Sequence, residues 1–248
     1  MLVRPQMHAE TRIGPIGEGV LKMCGRFTLR TNPSLYAEFL AVVRGFNEDW
    51  KPSYNVAPTQ AVLCVRDSDQ REFFRPSWGL IPSWAKDQKI ASHCINARVE
   101  TVAEKPSFRA AFKRRRCLVI ADGLFEWRQP DKQPFYYTLQ SGQPMLLAGL
   151  WESWQSPAGP LETCTICVTA ANDFLGVLHD RMPIILPRHA IDHWLDPQVV
   201  DPEEVQPLLQ PYPSADMQAW AVSKKVNSVR NNDPSLIEPS NEQQTLAF

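Results

Sequence analysis

Prolines limit the fold of this chain more than any other residue type. The 248 residues include 22 prolines, spread along most of the sequence. A proline removes a backbone donor and interrupts helix interiors and central strands. The chain must therefore be built from short elements that are joined by many turns.

Apolar runs of strand length outnumber the helix-like stretches. Strands are expected at 61–65, 116–122 and 163–170, and helices at 106–115 and 187–194. There is no internal repeat and no regular alternation of strand and helix. The sequence therefore predicts a single α+β domain with curved, barrel-like antiparallel sheets and a few peripheral helices.

Composition excludes several classes of protein. Lys and Arg (26) nearly balance Asp and Glu (27), so any nucleic-acid binding must use a local basic patch. No run reaches the roughly 20 apolar residues of a membrane span, and residues 1–22 lack the apolar core of a secretory signal. We expect a cytoplasmic monomer with no membrane association. Its six cysteines show no disulfide-framework spacing and are expected to be free thiols: Cys24, Cys64, Cys94, Cys117, Cys164 and Cys167.

Three segments differ in composition. Residues 1–22 have no apolar periodicity and are interpreted as a leader, either a misassigned start or a removable pro-segment. Residues 23–231 are expected to form the folded domain. Asn, Pro, Ser and Gln dominate the end of the chain, so 232–248 are predicted to be a disordered tail.

The pair Met23-Cys24 carries unusual chemistry if Met23 is the true start. Removal of that methionine leaves a cysteine with a free α-amine and a free thiol on adjacent carbons. Their pKa values lie at roughly 7.7–8.0 and about 8.5, so both groups have a reactive fraction near neutral pH. Such a 1,2-aminothiol condenses with aldehydes, first to an imine and then to a thiazolidine. The plainer alternative is that Cys24 is a small buried residue in a first strand.

Three further stretches place polar groups beside apolar runs. Residues 95–101 carry Asn96, Arg98 and Glu100, which would share one face of a strand. Glu126 lies between aromatics just after a hydrophobic strand, and a desolvated carboxyl there could act as a general acid or base. His179 precedes Asp180 and Arg181. From the residues alone, a solvated edge, a surface carboxylate and a structural histidine remain open.

Metal and cofactor sites are not predicted. Cys164 and Cys167 have CxxC spacing, but positions three apart in a strand face opposite sides, and no second pair accompanies them. His189 and His193 are four apart on an expected helix without a third ligand. We therefore predict no cofactor.

Basic and aromatic residues alternate along the loops. Arginines that hold phosphates and aromatics that stack on bases form single-strand binding sites, although a solvated face with core tryptophans is the alternative. The basic groups lie at 109–116, at 224–230 and in the loops that carry Arg26, Arg98 and Arg181, while the tryptophans are Trp78, Trp84 and Trp127.

Six motifs in order resemble one family, the SOS response-associated peptidase (SRAP) family, from residue 23 to about 231. They are Met23-Cys24-Gly25-Arg26-Phe27, Tyr54-Asn55-Val56-Ala57-Pro58, Trp78-Gly79, 95–101, Gly123-Leu124-Phe125-Glu126-Trp127 and His179-Asp180-Arg181-Met182-Pro183. The resemblance implies an SRAP-like fold and a sensor of abasic sites in single-stranded DNA. It also implies autopeptidase and abasic-site lyase activity.

The resemblance also implies residue roles. Cys24 would form the thiazolidine with the abasic sugar, Asn96 would hydrogen-bond near the ring, and Glu126 and His179 would move protons. Arg26 and Arg98 would hold phosphates and Trp84 would wedge where the DNA bends, with Trp78 and Arg181 as further DNA contacts. Alternatives to this reading are a thiol autopeptidase with incidental DNA binding and a non-covalent single-strand binding module.

Two departures from the pattern matter. The residues in front of Cys24 would turn its amine into an amide, so either Met23 is the real start or the leader is removed by autoproteolysis or another protease. Trp84 is followed by Ala85, whereas a bacterial member of the family that the chain resembles has paired tryptophans here. One stacking surface is therefore missing. Separately, Gln243, Leu246 and Phe248 resemble the peptide that binds the bacterial sliding clamp, which suggests recruitment to replication forks.

Overall fold

A computed structural model describes residues 25–45, 49–129 and 131–240 of the chain. The leader 1–22, the proposed nucleophile Cys24 and the clamp-like peptide at 243–248 lie outside these residues.

The elements are short, as the prolines predict. The strands are β1 (Phe27–Leu29), β2 (Ser53–Val56), β3 (Cys64–Asp67), β4 (Arg71–Phe74), β5 (Ser77–Trp78), β6 (Asn96–Arg98), β7 (Arg116–Ala121), β8 (Gly123–Trp127), β9 (Pro134–Leu139), β10 (Met145–Ser156), β11 (Gly159–Ala170), β12 (Arg181–Pro183) and β13 (Met217–Ala221). The α-helices are α1 (Ser34–Ala37), α2 (Arg109–Arg114), α3 (Asp173–Gly176), α4 (Ile191–Leu195) and α5 (Pro202–Val205). Short 3-10 helices lie at Gln88–His93, Arg188–Ala190, Gln206–Leu208, Ser214–Asp216, Lys224–Asn227 and Pro234–Ile237.

The strands form two curved sheets. One has five strands in the order β13-β9-β8-β1-β2, and all of its pairs are antiparallel. The other has eight strands: β12-β11-β10-β7-β3-β4 form the main path, and β5 and β6 pair in parallel with β11. The α+β prediction is confirmed, but within the described residues neither sheet closes into a barrel.

Apolar side chains divide into three clusters stacked through the sheets. The inter-sheet core joins Phe27 and Leu124 of the five-stranded sheet to Cys64 and Ile166 of the other. The helix-side core packs α1, α2 and α4 on the far face of the eight-stranded sheet. The outer core covers the far face of the five-stranded sheet and contains Phe125, Tyr136, Val222, Val226 and Leu236.

The two cysteines of the CxxC spacing point to opposite faces of β11, as the strand period predicts. Cys164 belongs to the inter-sheet core and Cys167 to the helix-side core. The structure also records no group of three or more His, Cys, Asp or Glu residues that could hold a metal within its described ranges.

The prediction of disorder from residue 232 onward is wrong for 232–240. Leu236 is fully buried in the outer core, and Trp220 Nε1 donates to the Ile237 carbonyl at 2.8 Å. Ser240 N donates to the Ala221 carbonyl at 2.8 Å, which places this segment along β13. Its polar composition suggested a tail, but one buried leucine and a few backbone bonds are enough to fix it.

Candidate active site

Three of the six motifs lie on adjacent strands of the five-stranded sheet. Phe27 in β1 pairs with Leu124 in β8 on one side and with Val56 in β2 on the other. The segment that carries Cys24 therefore enters the fold between the 54–58 and 123–127 motifs. β1 is thus bordered by a strand on each side, which fixes the direction of the backbone at Phe27.

Two more motifs meet at the far end of β11. β6, with Asn96 and Arg98, pairs with β11 along 166–168, and β12 pairs with it along 168–170. Glu100 and Arg181 form an ion pair between the two motifs. The 95–101 and 179–183 motifs thus both border the same end of β11 in the eight-stranded sheet.

Trp78 joins these two groups of motifs. Its ring lies 5.2 Å from that of Phe27, and its Nε1 donates to the Ile95 carbonyl at 2.8 Å, next to Asn96. Trp78 is only 1% exposed, so the prediction that it stacks on DNA bases is wrong. An indole with a partner for its N–H is well suited to the core, and here it ties the strand after Cys24 to the strand of Asn96.

Glu126 and Asn96 project into the space between the sheets. Residues two apart in a strand share a face, so Glu126 lies on the face of Leu124, in the inter-sheet core. Asn96 is paired with Ile166 of the same core. They are 3% and 8% exposed. A carboxyl and an amide thus face the inter-sheet core from opposite sheets, and both are buried.

His179 has a defined hydrogen-bonding environment. Its side chain is 11% exposed, and Nδ1 accepts the Arg181 backbone N–H at 3.1 Å. That bond places the proton of a neutral ring on Nε2. The Asp180 carboxylate lies 3.0 Å from the same Nδ1 and would accept its proton if the ring were protonated. Both forms of the imidazole therefore have a partner, which suits an acid–base residue.

Arg26 is held by the protein itself. Its Nη1 donates to Asn55 Oδ1 at 2.6 Å and to the Val226 carbonyl at 2.8 Å, and burial lowers the pKa of its guanidinium. The guanidinium carbon lies 5.7 Å from the Trp127 ring centroid. Trp127 packs against the outer core, so Arg26 faces away from the side of the sheet that carries Glu126.

Two of the predicted DNA contacts are exposed and a third, Arg181, is partly covered. Arg98 is exposed at the end of β6, and Trp84 is 58% exposed although its Nε1 donates to the Pro106 carbonyl at 3.2 Å. Arg181 keeps a 20% exposed side chain beside Glu100. These three residues present charge and one aromatic face to solvent near the end of β11 and the loop before β6.

Arg116 does not belong to the predicted surface group of basic residues. It is 4% exposed and donates to five backbone carbonyls, those of Phe112, Lys113, Trp194, Asp196 and Val199. Arg115 forms an ion pair with Glu152 at 2.7 Å. A buried guanidinium that satisfies backbone carbonyls in and after α2 and α4 is structural, so the basic group at the end of α2 is smaller than its sequence indicates.

Sequence reasoning missed the role of Asn55. This residue lies in the 54–58 motif, is 2% exposed, and bonds both Arg26 and the loop at 226–231. The available signal was an amide within the apolar run of β2, because a buried amide requires partners.

The chain belongs to the SRAP family, because the model of the SOS response associated peptidase family matches residues 23–229. The abasic site processing protein YoqW of Bacillus subtilis is 45% identical over 87% of this chain and 99% of its own length. The abasic site processing protein YedK of Escherichia coli is 32% identical over 88% and 100%. A crystal structure of a protein from Bacteroides thetaiotaomicron matches with a TM-score of 0.77 at 27% identity, covering 88% of this chain and 100% of that one.

The described helices fall short of the length and apolar character that a bilayer span requires.

Proposed function

We propose that this protein senses abasic sites in single-stranded DNA and forms a covalent crosslink to them through Cys24. The observation that carries the proposal is the convergence of the six motifs, in which Trp78 links the strand after Cys24 to the strand of Asn96. The names of the curated relatives, abasic site processing proteins, support the substrate class.

The proposed crosslinking reaction is a condensation that needs no oxidant or reductant. The neutral α-amine of Cys24 adds to the C1′ aldehyde of the ring-opened sugar, and loss of water gives an imine. The thiolate then adds to the imine carbon, and the nitrogen takes up a proton to close the thiazolidine. The product is the sum of protein and DNA minus one water. The imine also acidifies C2′, which permits β-elimination and hence lyase activity.

Each residue of the candidate site has a role in these reaction steps. Glu126 and His179 transfer protons between the sugar oxygen, the amine and water, and Asn96 donates a hydrogen bond near the ring. Arg98 and Arg181 bind phosphates beside the lesion, and the exposed ring of Trp84 stacks or wedges where the strand bends. Arg26 contacts the DNA strand or, through its bonds to Asn55 and Val226, holds the protein beside the DNA in place.

Cys24 can form the imine only as the first residue. A residue in front of it would make its nitrogen an amide, which forms no imine. Removal of Met23, or autoproteolysis of a longer leader with the same Cys24, Glu126 and His179, would expose the amine. The intact mass of the purified protein reports its first residue directly.

The crosslinking test compares single-stranded oligonucleotides that carry an abasic site or an intact base. Protein beginning at Cys24 is expected to give a heat-stable shifted band with the abasic strand alone. Cys24→Ala keeps an amine but cannot close the ring, so its product should need borohydride trapping. Glu126→Gln and His179→Ala are expected to slow the reaction by about 10²–10⁴.

Other outcomes would favour the alternatives. Peptide cleavage without a DNA adduct would favour a thiol peptidase with incidental DNA binding. Salt-sensitive binding of both strands without a covalent product would favour a non-covalent single-strand binding module.

We also propose that the peptide at 243–248 binds the bacterial sliding clamp through Gln243, Leu246 and Phe248. A pull-down with purified clamp would compare the wild type with a chain truncated after Asn241. Loss of retention on truncation is expected, and equal retention would exclude this role.

A further inference from the structure

The loop at 224–231, here named the cationic loop, is held on the outer face of the five-stranded sheet by a buried amide. Asn55 Nδ2 donates to the carbonyls of Ser228 at 2.9 Å and Asn231 at 2.8 Å, while its Oδ1 accepts from Arg26. A buried amide with donors and acceptor all engaged has a single orientation. The cationic loop therefore has a fixed position relative to Arg26.

Further bonds strengthen this attachment. Arg26 Nη1 donates to the Val226 carbonyl, and the Val226 side chain is fully buried in the outer core. Trp127 Nε1 donates to Asn227 Oδ1 at 2.7 Å. The loop is thus joined to the start of β1, which begins three residues after Cys24.

The exposed side of the loop is positively charged. Lys224, Lys225 and Arg230 all face solvent, and Lys224 Nζ lies 3.4 Å from the Asp131 carbonyl, next to Arg128 and Lys132. The nearby carboxylates are fewer: Asp131 is paired with Arg128, and Asp233 lies near Lys225. An ordered surface on which exposed cations outnumber anions is suited to phosphate groups.

We propose that the cationic loop binds the phosphodiester backbone of the DNA strand that flanks the reactive amino terminus, with Asn55 as its positioning residue. This inference rests on the proposed function. Arg98, Arg181 and Trp84 would hold the strand at the eight-stranded sheet, and Lys224, Lys225 and Arg230 would hold it at the five-stranded sheet.

The test uses the full chain and single-stranded DNA with a tetrahydrofuran abasic analogue, which has no aldehyde and so reports binding alone. The double variant Lys225→Gln/Arg230→Gln is compared with Arg75→Gln/Arg188→Gln, which removes the same charge from exposed positions elsewhere. The negative slope of log affinity against log salt should become shallower by about 0.7 for each lost phosphate contact, about 1.4 for the loop pair. The control pair should keep the wild-type slope. Equal slopes for the two pairs would overturn the proposal.

Asn55→Ala separates positioning from stability. It keeps every cation of the loop but removes the Asn55 bonds to Ser228 and Asn231. The salt slope should therefore become shallower at temperatures well below the unfolding midpoint. A purely structural role would lower the midpoint and leave the slope unchanged. If Asn55→Ala does not fold, the comparison of the loop pair with the control pair still tests whether the cationic loop binds DNA.

Crosslinking by the same variants, measured with a true abasic site on protein beginning at Cys24, distinguishes the two proposals. A wild type that binds the analogue but forms no covalent product contradicts the proposed function, and the slopes still test the loop. A wild type that crosslinks, together with an unchanged slope in the loop pair, contradicts the loop alone.

Discussion

Gly123 opens the strand that carries Glu126, and it stands where a side chain has no room. A Cβ at this position would lie 2.5 Å from the hydroxyl oxygen of Tyr136 and 2.8 Å from the Thr138 methyl carbon. Tyr136 cannot withdraw easily, because it is fully buried and bonded to the Thr28 hydroxyl at 2.7 Å. The glycine thus lets β8 and β9 approach while Tyr136 fills the outer core.

Gly123→Ala is therefore expected to destabilise the fold by about 1–3 kcal/mol, the usual cost of overpacking a core. Chemical denaturation measures the change as a shift of the unfolding midpoint. Gly176→Ala is the control, because nothing lies within 4 Å of a Cβ there. Equal midpoints for the two variants would contradict the packing argument.

Thiol reactivity is a second property of single residues. Every cysteine in the described part of the chain is buried, namely Cys64, Cys94, Cys117, Cys164 and Cys167. Burial raises the pKa of the thiols of Cys64, Cys117 and Cys167, which keeps them protonated and unreactive near pH 8.

Iodoacetamide at pH 8 should consequently label native protein once, at Cys24, and should not label Cys24→Ala. Because burial raises the pKa of the Cys64, Cys117 and Cys167 thiols, raising the pH to 9 should not add a label at these residues. Mass spectrometry of the intact protein counts the labels. Two or more labels on native protein would contradict the burial of the other thiols.

At the scale of elements, the segment at 232–240 acts as part of the fold. Its 3-10 turn at Pro234–Ile237 is capped by Asp233, whose side chain accepts the Ser235 N–H at 3.0 Å. Leu236 then enters the outer core below the cationic loop. The segment supports the loop from beneath.

Leu236→Ala should cost about 2–5 kcal/mol, as expected for truncating a fully buried leucine. Val229→Ala, at a side chain that is 49% exposed, serves as the matched control and should cost little. Thermal and denaturant unfolding of the two variants provide the comparison. A Leu236→Ala protein as stable as the control would mean that the segment does not contribute to the fold.

Local patterns predicted the elements well where strand periodicity and turns are strong. The strand expected at 116–122 is β7 at Arg116–Ala121, and the strand expected at 163–170 lies within β11 at Gly159–Ala170. The signals for these elements, apolar runs and turn residues, involve only a few neighbouring positions. A single sequence is therefore enough to detect them.

Burial of single polar or aromatic residues could not be predicted in the same way. The sequence suggests Trp78 and Arg116 as DNA contacts, but both are buried. Trp78 donates to a carbonyl 17 residues away, and Arg116 donates to carbonyls of α4 and the segment after it, 78 to 83 residues away, as well as to α2. Asn55 likewise depends on a loop more than 170 positions later. Only tertiary contacts reveal whether such a side chain is available to contact DNA or is bonded within the protein.

At the scale of the whole molecule, the two sheets supply different polar residues of the candidate site. The five-stranded sheet supplies Glu126 and the strand that follows Cys24. The eight-stranded sheet supplies Asn96, and His179 lies just before its strand β12. The inter-sheet core keeps these groups at fixed separation. The reaction proposed here needs that fixed arrangement, because the cysteine must meet the sugar with both its amine and its thiol.

The most direct test of this account is the intact mass of the protein after incubation with abasic single-stranded DNA. The account predicts a species equal to the chain beginning at Cys24 plus the DNA minus one water, with the modification mapped to Cys24. Unmodified protein with a free amino-terminal Cys24, or an adduct mapped to any other residue, would contradict it.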